Sequence, residues 1–126
     1  MPEFICGHTP DNLTPFVRGY LECVEWLLPE EIDHDKIRGF SRAAIRQAKL
    51  DCKDFAKANA ADLAEYETIS GRDMAHAGHD FYLSRNGHGA GFFDRGHEAV
   101  FRRLQAAAKV YGETYHDLSR GWIVQL

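Results

Sequence analysis

Hydrophobic residues recur at three- and four-residue spacing in the first half of the chain, which predicts two amphipathic helices. The first begins with Thr14 as its N-cap and Pro15 at the first helical position, where the missing N–H of proline costs nothing. Pro29 ends this helix. The second extends from about Lys36 to the alanine-rich stretch at 58–64. The wide apolar face of the first helix requires that it pack against the core.

Residues 78–96 instead predict two antiparallel strands. They are joined at Asn86-Gly87, the dipeptide that most strongly indicates a two-residue hairpin turn. Because side chains alternate along a strand, Phe81 and Phe92 are predicted to share the face that packs into the core. The opposite face combines Tyr82 with glycines, which indicates a β-bulge, cover of the glycines by the tyrosine, or close approach of another group to the backbone.

The remaining predicted elements are helices over 71–77 and 97–111 and strands over 114–118 and 122–126. The predicted fold class is α+β, with two N-terminal helices and one later helix packed on a three- to four-stranded antiparallel sheet built around the β-hairpin. A chain of 126 residues fits one domain, 1–126, without internal repeats.

Charge is unevenly distributed along the chain. The net charge is −4, but residues 1–35 carry −7 and residues 36–57 carry +5. At 100° per residue, the cations of the predicted second helix form an unbroken stripe, made of Arg38, Arg42, Arg46, Lys49, Lys53 and Lys57. This stripe is either a solvated face paired with the acidic first helix or a docking surface for phosphates or an acidic partner. The negative net charge argues against free duplex DNA as that partner.

The cysteines and the amino terminus limit the compartment. The three cysteines are odd in number and lack C-x-x-C spacing, which favours reduced thiols in a cytoplasm over disulfides or a zinc site. The first residues lack a basic segment followed by a long apolar run, so neither a signal peptide nor a membrane partner is expected. No cofactor is predicted, and the oligomeric state stays open.

Polar side chains concentrate around the predicted hairpin. The candidate binding residues are His79, Asp80, Tyr82, Arg85, Asn86, His88, Asp94 and Arg95, together with Arg42, Arg46, Lys49 and Lys53 on the stripe. A tight turn would present Arg85, Asn86 and His88, with Arg95, outward as a recognition surface.

Two chemistries are conceivable at the open end of the hairpin. His79 opposite Asp94 resembles a base oriented by a carboxylate, although a structural hydrogen bond, or Asp94 capping the next helix, explains the same residues. The spacings His76-x-x-His79 and Asp94-x-x-His97 bring together the nitrogen and oxygen ligands that zinc or manganese uses. Neither pattern is specific, and no metal site is predicted.

The run from Gly78 to Gly96 resembles the signature of small proteins encoded by bacteriophages and plasmids, which tend to read G-H-D-F-[WY]-L-[ST]-R-N-G-H-G-A-G-F-[WF]-D-R-G. Segments around Tyr20, Asp51 and Ala107 resemble the flanking parts of the same family. The resemblance implies a mobile-element protein acting in a bacterial cytoplasm, and it brings no catalytic role with it.

Two functional hypotheses follow. The first is a stoichiometric binder of a host protein or ribonucleoprotein complex, for example an anti-CRISPR-like inhibitor of a defence complex. The alternative is a small-ligand-binding protein or hydrolase with a His/Asp site at the hairpin. A metal and nucleotide scan by thermal shift would separate them, because a bound ligand raises stability.

Overall fold

The computed structural model describes residues 13–28, 37–87 and 90–125 of the chain. Its helices are α1 (Pro15–Trp26), α2 (Arg42–Ala58), α3 (Ala60–Ser70), α4 (Met74–Asn86) and α5 (Ala99–Lys109), with a short 3₁₀ helix at Phe92–Arg95. Its strands are β1 (Gly39–Phe40), β2 (His116–Ser119) and β3 (Trp122–Gln125). None of these helices is long and apolar enough to cross a membrane.

The sheet is small and mixed, so the predicted antiparallel sheet with three helices packed on it is wrong. β3 lies in the centre, antiparallel to β2 and parallel to β1. Leu118 of β2 and Phe40 of β1 both pair with Ile123 of β3. The two predicted C-terminal strands are β2 and β3, whereas the strands predicted within 78–96 do not form.

α4 replaces the predicted hairpin because both of its ends carry capping residues. The Asp73 carboxylate accepts a hydrogen bond from the His76 N–H at 3.0 Å, which makes Asp73 the N-cap. Gly87 follows the last turn in the left-handed conformation, with φ 66°. Glycine supplies this conformation in a helix C-cap as readily as in a hairpin turn, so Asn86-Gly87 alone does not distinguish the two.

The predicted second helix is two helices, α2 and α3, which meet at Asn59. α2 begins later than predicted, after the N-cap Ser41, whose hydroxyl accepts a hydrogen bond from the Ala44 N–H at 3.1 Å. The helix predicted over 71–77 is misplaced, because α3 ends at Ser70 and Gly71 adopts a left-handed conformation. Residues 74–77 are helical, but they form the first turn of α4, which continues to Asn86.

α1 forms as predicted and packs closely against α4. The Thr14 hydroxyl accepts a hydrogen bond from the Val17 N–H at 3.3 Å, and Pro15 occupies the first helical position. At the crossing, Gly19 of α1 and Gly78 of α4 let the two backbones approach. A Cβ placed on Gly78 would lie 2.0 Å from the Phe16 carbonyl oxygen.

The core is aromatic and centres on α4. The Phe81 ring stacks on Phe55 of α2, with 4.2 Å between ring centroids. Phe92, on the 3₁₀ helix, and Phe101, on α5, surround Tyr66 of α3. Phe81 and Phe92 are both fully buried, which confirms their predicted place in the core although the elements that carry them differ.

Candidate functional site

Two charged residues of the 78–96 segment, Asp80 and Arg95, pair with each other. The Asp80 carboxylate is fully buried and receives both Nε and Nη2 of Arg95, at 2.9 and 2.6 Å. It also accepts the Tyr66 hydroxyl at 2.7 Å. Burial, together with the adjacent carboxylate, raises the pKa of Tyr66, so its hydroxyl stays protonated and donates. Asp80 thereby joins α4 to α3 and to the 3₁₀ helix.

Arg85 is buried, so the expectation that it faces outward is wrong. Its guanidinium donates to the Asp51 carboxylate at 2.8 Å, and to the carbonyl oxygens of Tyr111 and Gly112 at 3.0 and 2.8 Å. It also lies 5.6 Å from the centroids of the Phe81 and Tyr111 rings. One side chain thus connects α4 to α2 and to the end of α5.

Three further residues of α4, Ser84, Asn86 and Tyr82, also contact other parts of the protein. The Ser84 hydroxyl accepts the Phe92 N–H at 3.1 Å and donates to Gln105 at 2.6 Å. The Asn86 side-chain oxygen accepts the Thr114 N–H at 2.7 Å. Tyr82 is buried against Tyr20, with the two rings edge to face. The 78–96 segment therefore acts mainly as the internal framework of the fold, while His88 lies outside the described residues.

A cavity of about 670 Å³ opens beside α4 and contains the other half of the predicted site. The side chains that the sequence singled out there are His76, His79, Asp80, Asp94 and Arg95. α1 contributes Glu22 and Trp26, which sequence reasoning missed. The only available signal was that Trp26 occupies the last turn of an amphipathic helix without matching its apolar face.

His79 is held in this cavity as a neutral imidazole. Its ring lies 6.4 Å from the Trp26 ring, and burial lowers its pKa. Among the residues that the structure describes, His79 has no hydrogen-bond partner, and Asp94 is exposed on the 3₁₀ helix rather than capping α5. The predicted base–carboxylate pair is therefore not formed.

The same cavity has no recognisable metal centre within the described part of the chain. No group of three or more His, Cys, Asp or Glu side chains there is arranged to hold a metal ion. The Asp80 carboxylate is already occupied by Arg95 and Tyr66, and His76 binds Asp73 at 2.8 Å. What the cavity offers a ligand is the neutral imidazole, an indole that is 70% exposed, and carboxylates at its mouth.

α2 presents the predicted basic stripe to solvent. Its exposed cations, here called the basic face, are Arg42, Arg46, Lys49, Lys53 and Lys57. None of them has a carboxylate oxygen within 4.0 Å in the described ranges 13–28, 37–87 and 90–125. The Arg38 guanidinium, before β1, instead lies 6.0 Å from the Trp122 ring centroid.

The two acidic residues of α2 are occupied elsewhere, which explains why the basic face lacks partners. Asp51 binds Arg85, and Asp54 accepts the Tyr111 hydroxyl. Burial and this hydrogen bond raise the pKa of Tyr111 to about 12, so it remains a donor. Asp54 does not pair with Lys57, one turn further along α2, and Asp51 has no lysine or arginine three or four residues away in the helix. The predicted pairing of the stripe with α1 is not seen among the described residues.

An apolar groove of about 670 Å³ lies next to the basic face, between α2 and the start of α1. Its lining includes Leu13 and Val17 from the α1 side, Ala56 from α2, and Met74 from the start of α4. Lys49 and Lys53 of the basic face line it as well. The hydrophobic pattern of the sequence did not predict this groove.

Comparisons with protein-family models, curated proteins and solved structures gave no match to this chain.

Proposed function

We propose that this chain is a small mobile-element protein that binds a host protein or ribonucleoprotein complex through the basic face of α2. The observation that carries the proposal is that five exposed cations lie on one helix and none has a carboxylate partner among the described residues. Five like charges on one helix face repel each other, and an external anionic surface would relieve that repulsion.

The dimensions of the basic face favour a macromolecule. From Arg42 to Lys57 it extends about 22 Å along the helix axis, at 1.5 Å per residue. A single small anion neutralises only one or two of these cations, whereas an acidic protein surface or a structured ribonucleoprotein meets them all. The net charge of −4 for the whole chain opposes strong binding to free duplex DNA.

The resemblance of residues 78–96 to phage and plasmid proteins supports the finer form of this proposal. In that form the chain acts in the bacterial cytoplasm as a stoichiometric, anti-CRISPR-like inhibitor of a defence complex. The internal bonding of Ser84 and Arg85 agrees with a binder, because these polar residues support the fold and are not exposed to a substrate.

The direct test is affinity capture from a bacterial host lysate with three forms of the protein. The first is wild type, and the second carries R42E, R46E and K53E. The third carries R102E, K109E and R120E, which change the net charge equally on exposed positions outside α2. We expect wild type and the third form to retain one complex at equal yield, and the second to lose it.

The retained complex is then titrated with purified protein at several salt concentrations. Binding should weaken as salt rises, with the same steepness for wild type and for the R102E/K109E/R120E form. Inhibition of that complex should be complete at about one protein per complex, whereas an enzyme would inhibit at far lower ratios. Identical capture by all three forms would remove the basic face from the function.

The second candidate function is small-ligand binding in the cavity beside α4. It is favoured by the half-buried imidazole of His79, whose ring centroid lies 6.4 Å from that of the exposed Trp26 ring. Among the described residues, neither side chain has a hydrogen-bond partner. A thermal-shift scan with metals and nucleotides tests it, since a ligand at 100 times its Kd adds about 2.7 kcal/mol of stability. A His79→Ala form should lose that shift.

A further inference from the structure

We infer that the basic face and the adjacent apolar groove form one docking surface, which takes an acidic amphipathic helix of the partner. This inference rests on the proposed function and adds the partner's local chemistry to it. It starts from the position of Lys49 and Lys53, which belong to both features at once.

The α2 wall of the groove has helical spacing. Lys49, Cys52, Lys53 and Ala56 lie at i, i+3, i+4 and i+7, so they form one strip of two turns, about 10 Å long. The opposite wall is the start of α1, including the apolar side chain of Val17. A groove between two helices, lined mainly by apolar side chains, is the shape that accepts the apolar face of a third helix.

The charges select an acidic helix among the possible amphipathic ones. Lys49 and Lys53 are exposed and yet line the groove, so their aliphatic stems cover apolar surface while their ammonium groups stay in water. An incoming helix with leucine anchors toward the groove places its flanking carboxylates beside these two ammonium groups. Further carboxylates along the same helix would reach Arg46 or Lys57 on the neighbouring turns.

A lipid or fatty acid shares the combination of an anion and an apolar tail, but it fits this surface less well. One headgroup would meet only the two lysines that line the groove, and the rest of the basic face would stay uncompensated. The length of the basic face, about 22 Å, matches roughly four turns of helix.

The test uses two fluorescent 18-residue peptides of identical composition. One has leucine at i, i+3, i+4 and i+7 with glutamate on the other face, and the second has the same residues in scrambled order. By fluorescence anisotropy, we expect wild type to bind the amphipathic peptide at least tenfold more tightly. Vesicles of phosphatidylglycerol serve as the lipid comparison and should not compete with it.

Two variants separate the roles of the groove and the charges. Ala56→Trp fills the groove and leaves every cation of the basic face unchanged. It should therefore abolish the tenfold preference for the amphipathic peptide over the scrambled one. K49Q/K53Q changes exposed positions that the fold does not use, and it should weaken both peptides while the fold stays intact by circular dichroism. Equal binding of both peptides to wild type, or competition by the vesicles, would overturn the inference.

Failure of this inference can be told from failure of the proposed function. If lysate capture needs Arg42, Arg46 and Lys53 but is unaffected by Ala56→Trp, and wild type binds both peptides equally, the basic face docks a partner without the groove. If the triple glutamate form captures the same complex as wild type, the proposed function fails whatever the peptides show.

Discussion

Replacing Gly78 by alanine sets helix propensity against packing, and the two effects have opposite signs. Alanine is about 1 kcal/mol better than glycine inside a helix, so propensity alone predicts a more stable α4. In the structure, however, the new Cβ would lie 2.0 Å from the Phe16 carbonyl oxygen and 2.8 Å from the Tyr20 nitrogen. Both are backbone atoms of α1, and neither can turn aside as a flexible side chain does.

The cost follows from the distance that α1 must move. Ordinary van der Waals contact begins near 3.4 Å, so the helices must separate by about 1.4 Å at this point. The same separation would also move Gly19 of α1 away from the Ala75 carbonyl of α4, which it contacts closely. Overpacking a core costs about 1–3 kcal/mol, and a rigid backbone contact belongs at the upper end of that range. After the gain in propensity, Gly78→Ala should lower the free energy of unfolding by about 2 kcal/mol.

Urea unfolding followed by circular dichroism measures this change. Ala64→Gly, at an exposed position of α3, measures the cost of glycine relative to alanine in a helix of the same protein. It should lower the free energy of unfolding by about 1 kcal/mol. If Gly78→Ala instead proves as stable as wild type or more stable, the close crossing of α1 and α4 is wrong.

Three further outcomes follow from the buried residues. Phe81→Ala should cost about 3–5 kcal/mol in the same urea assay, and a loss under 1 kcal/mol would contradict its place in the core. Arg85→Ala leaves the Asp51 carboxylate and two carbonyl oxygens without their donor, so it should cost about 3–5 kcal/mol, with Arg85→Lys between it and wild type. Burial lowers the pKa of His79 and His116 below 6.5, so the unfolded chain binds protons there that the folded chain does not. The stability that comes from keeping these histidines neutral should be complete above about pH 6.5 and be lost as the pH falls below it. The urea midpoint should therefore drop between pH 8.0 and pH 5.5, and it should drop less for His116→Phe than for wild type.

Local signals made α1 and the pairing of β2 with β3 predictable. α1 is set by Thr14, Pro15 and a single apolar face, all within one short stretch of sequence. The predicted pairing of the last two strands needs only the tight turn that contains Arg120 and Gly121, whose φ angles are 52° and 88°. In each case the residues that decide the structure are close neighbours in the chain.

α4 was not predictable in the same way, because it is buried on nearly all sides. Its residues Asp80–Arg85 are buried in succession, so no polar face marks a period of 3.6 residues. Without that period, the aromatic residues and the Asn86-Gly87 dipeptide favoured strands. Only Asp73, a residue type that favours the N-cap position, indicates the true start of the helix.

The candidate site also has a part that the sequence predicts and a part that it does not. The basic face could be predicted because helical spacing alone puts its cations together. The roles of Asp80 and Arg85 could not, because their partners lie 14 to 34 residues away in the sequence, at Tyr66, Arg95 and Asp51. A charged residue is normally interpreted as exposed, and only the fold reveals which charges have a buried partner.

The residues that hold the fold together are different from the exposed cations of the basic face. Asp80, Ser84 and Arg85 each contact two or more elements of the fold, so a change at any of them disturbs the packing as a whole. The cations of the basic face contact no described carboxylate, and substitutions there should cost little stability, because exposed charges are worth about 0–1 kcal/mol each. Substitutions on the basic face can therefore change its charge without disturbing the packing around α4, whereas substitutions at Asp80, Ser84 or Arg85 cannot.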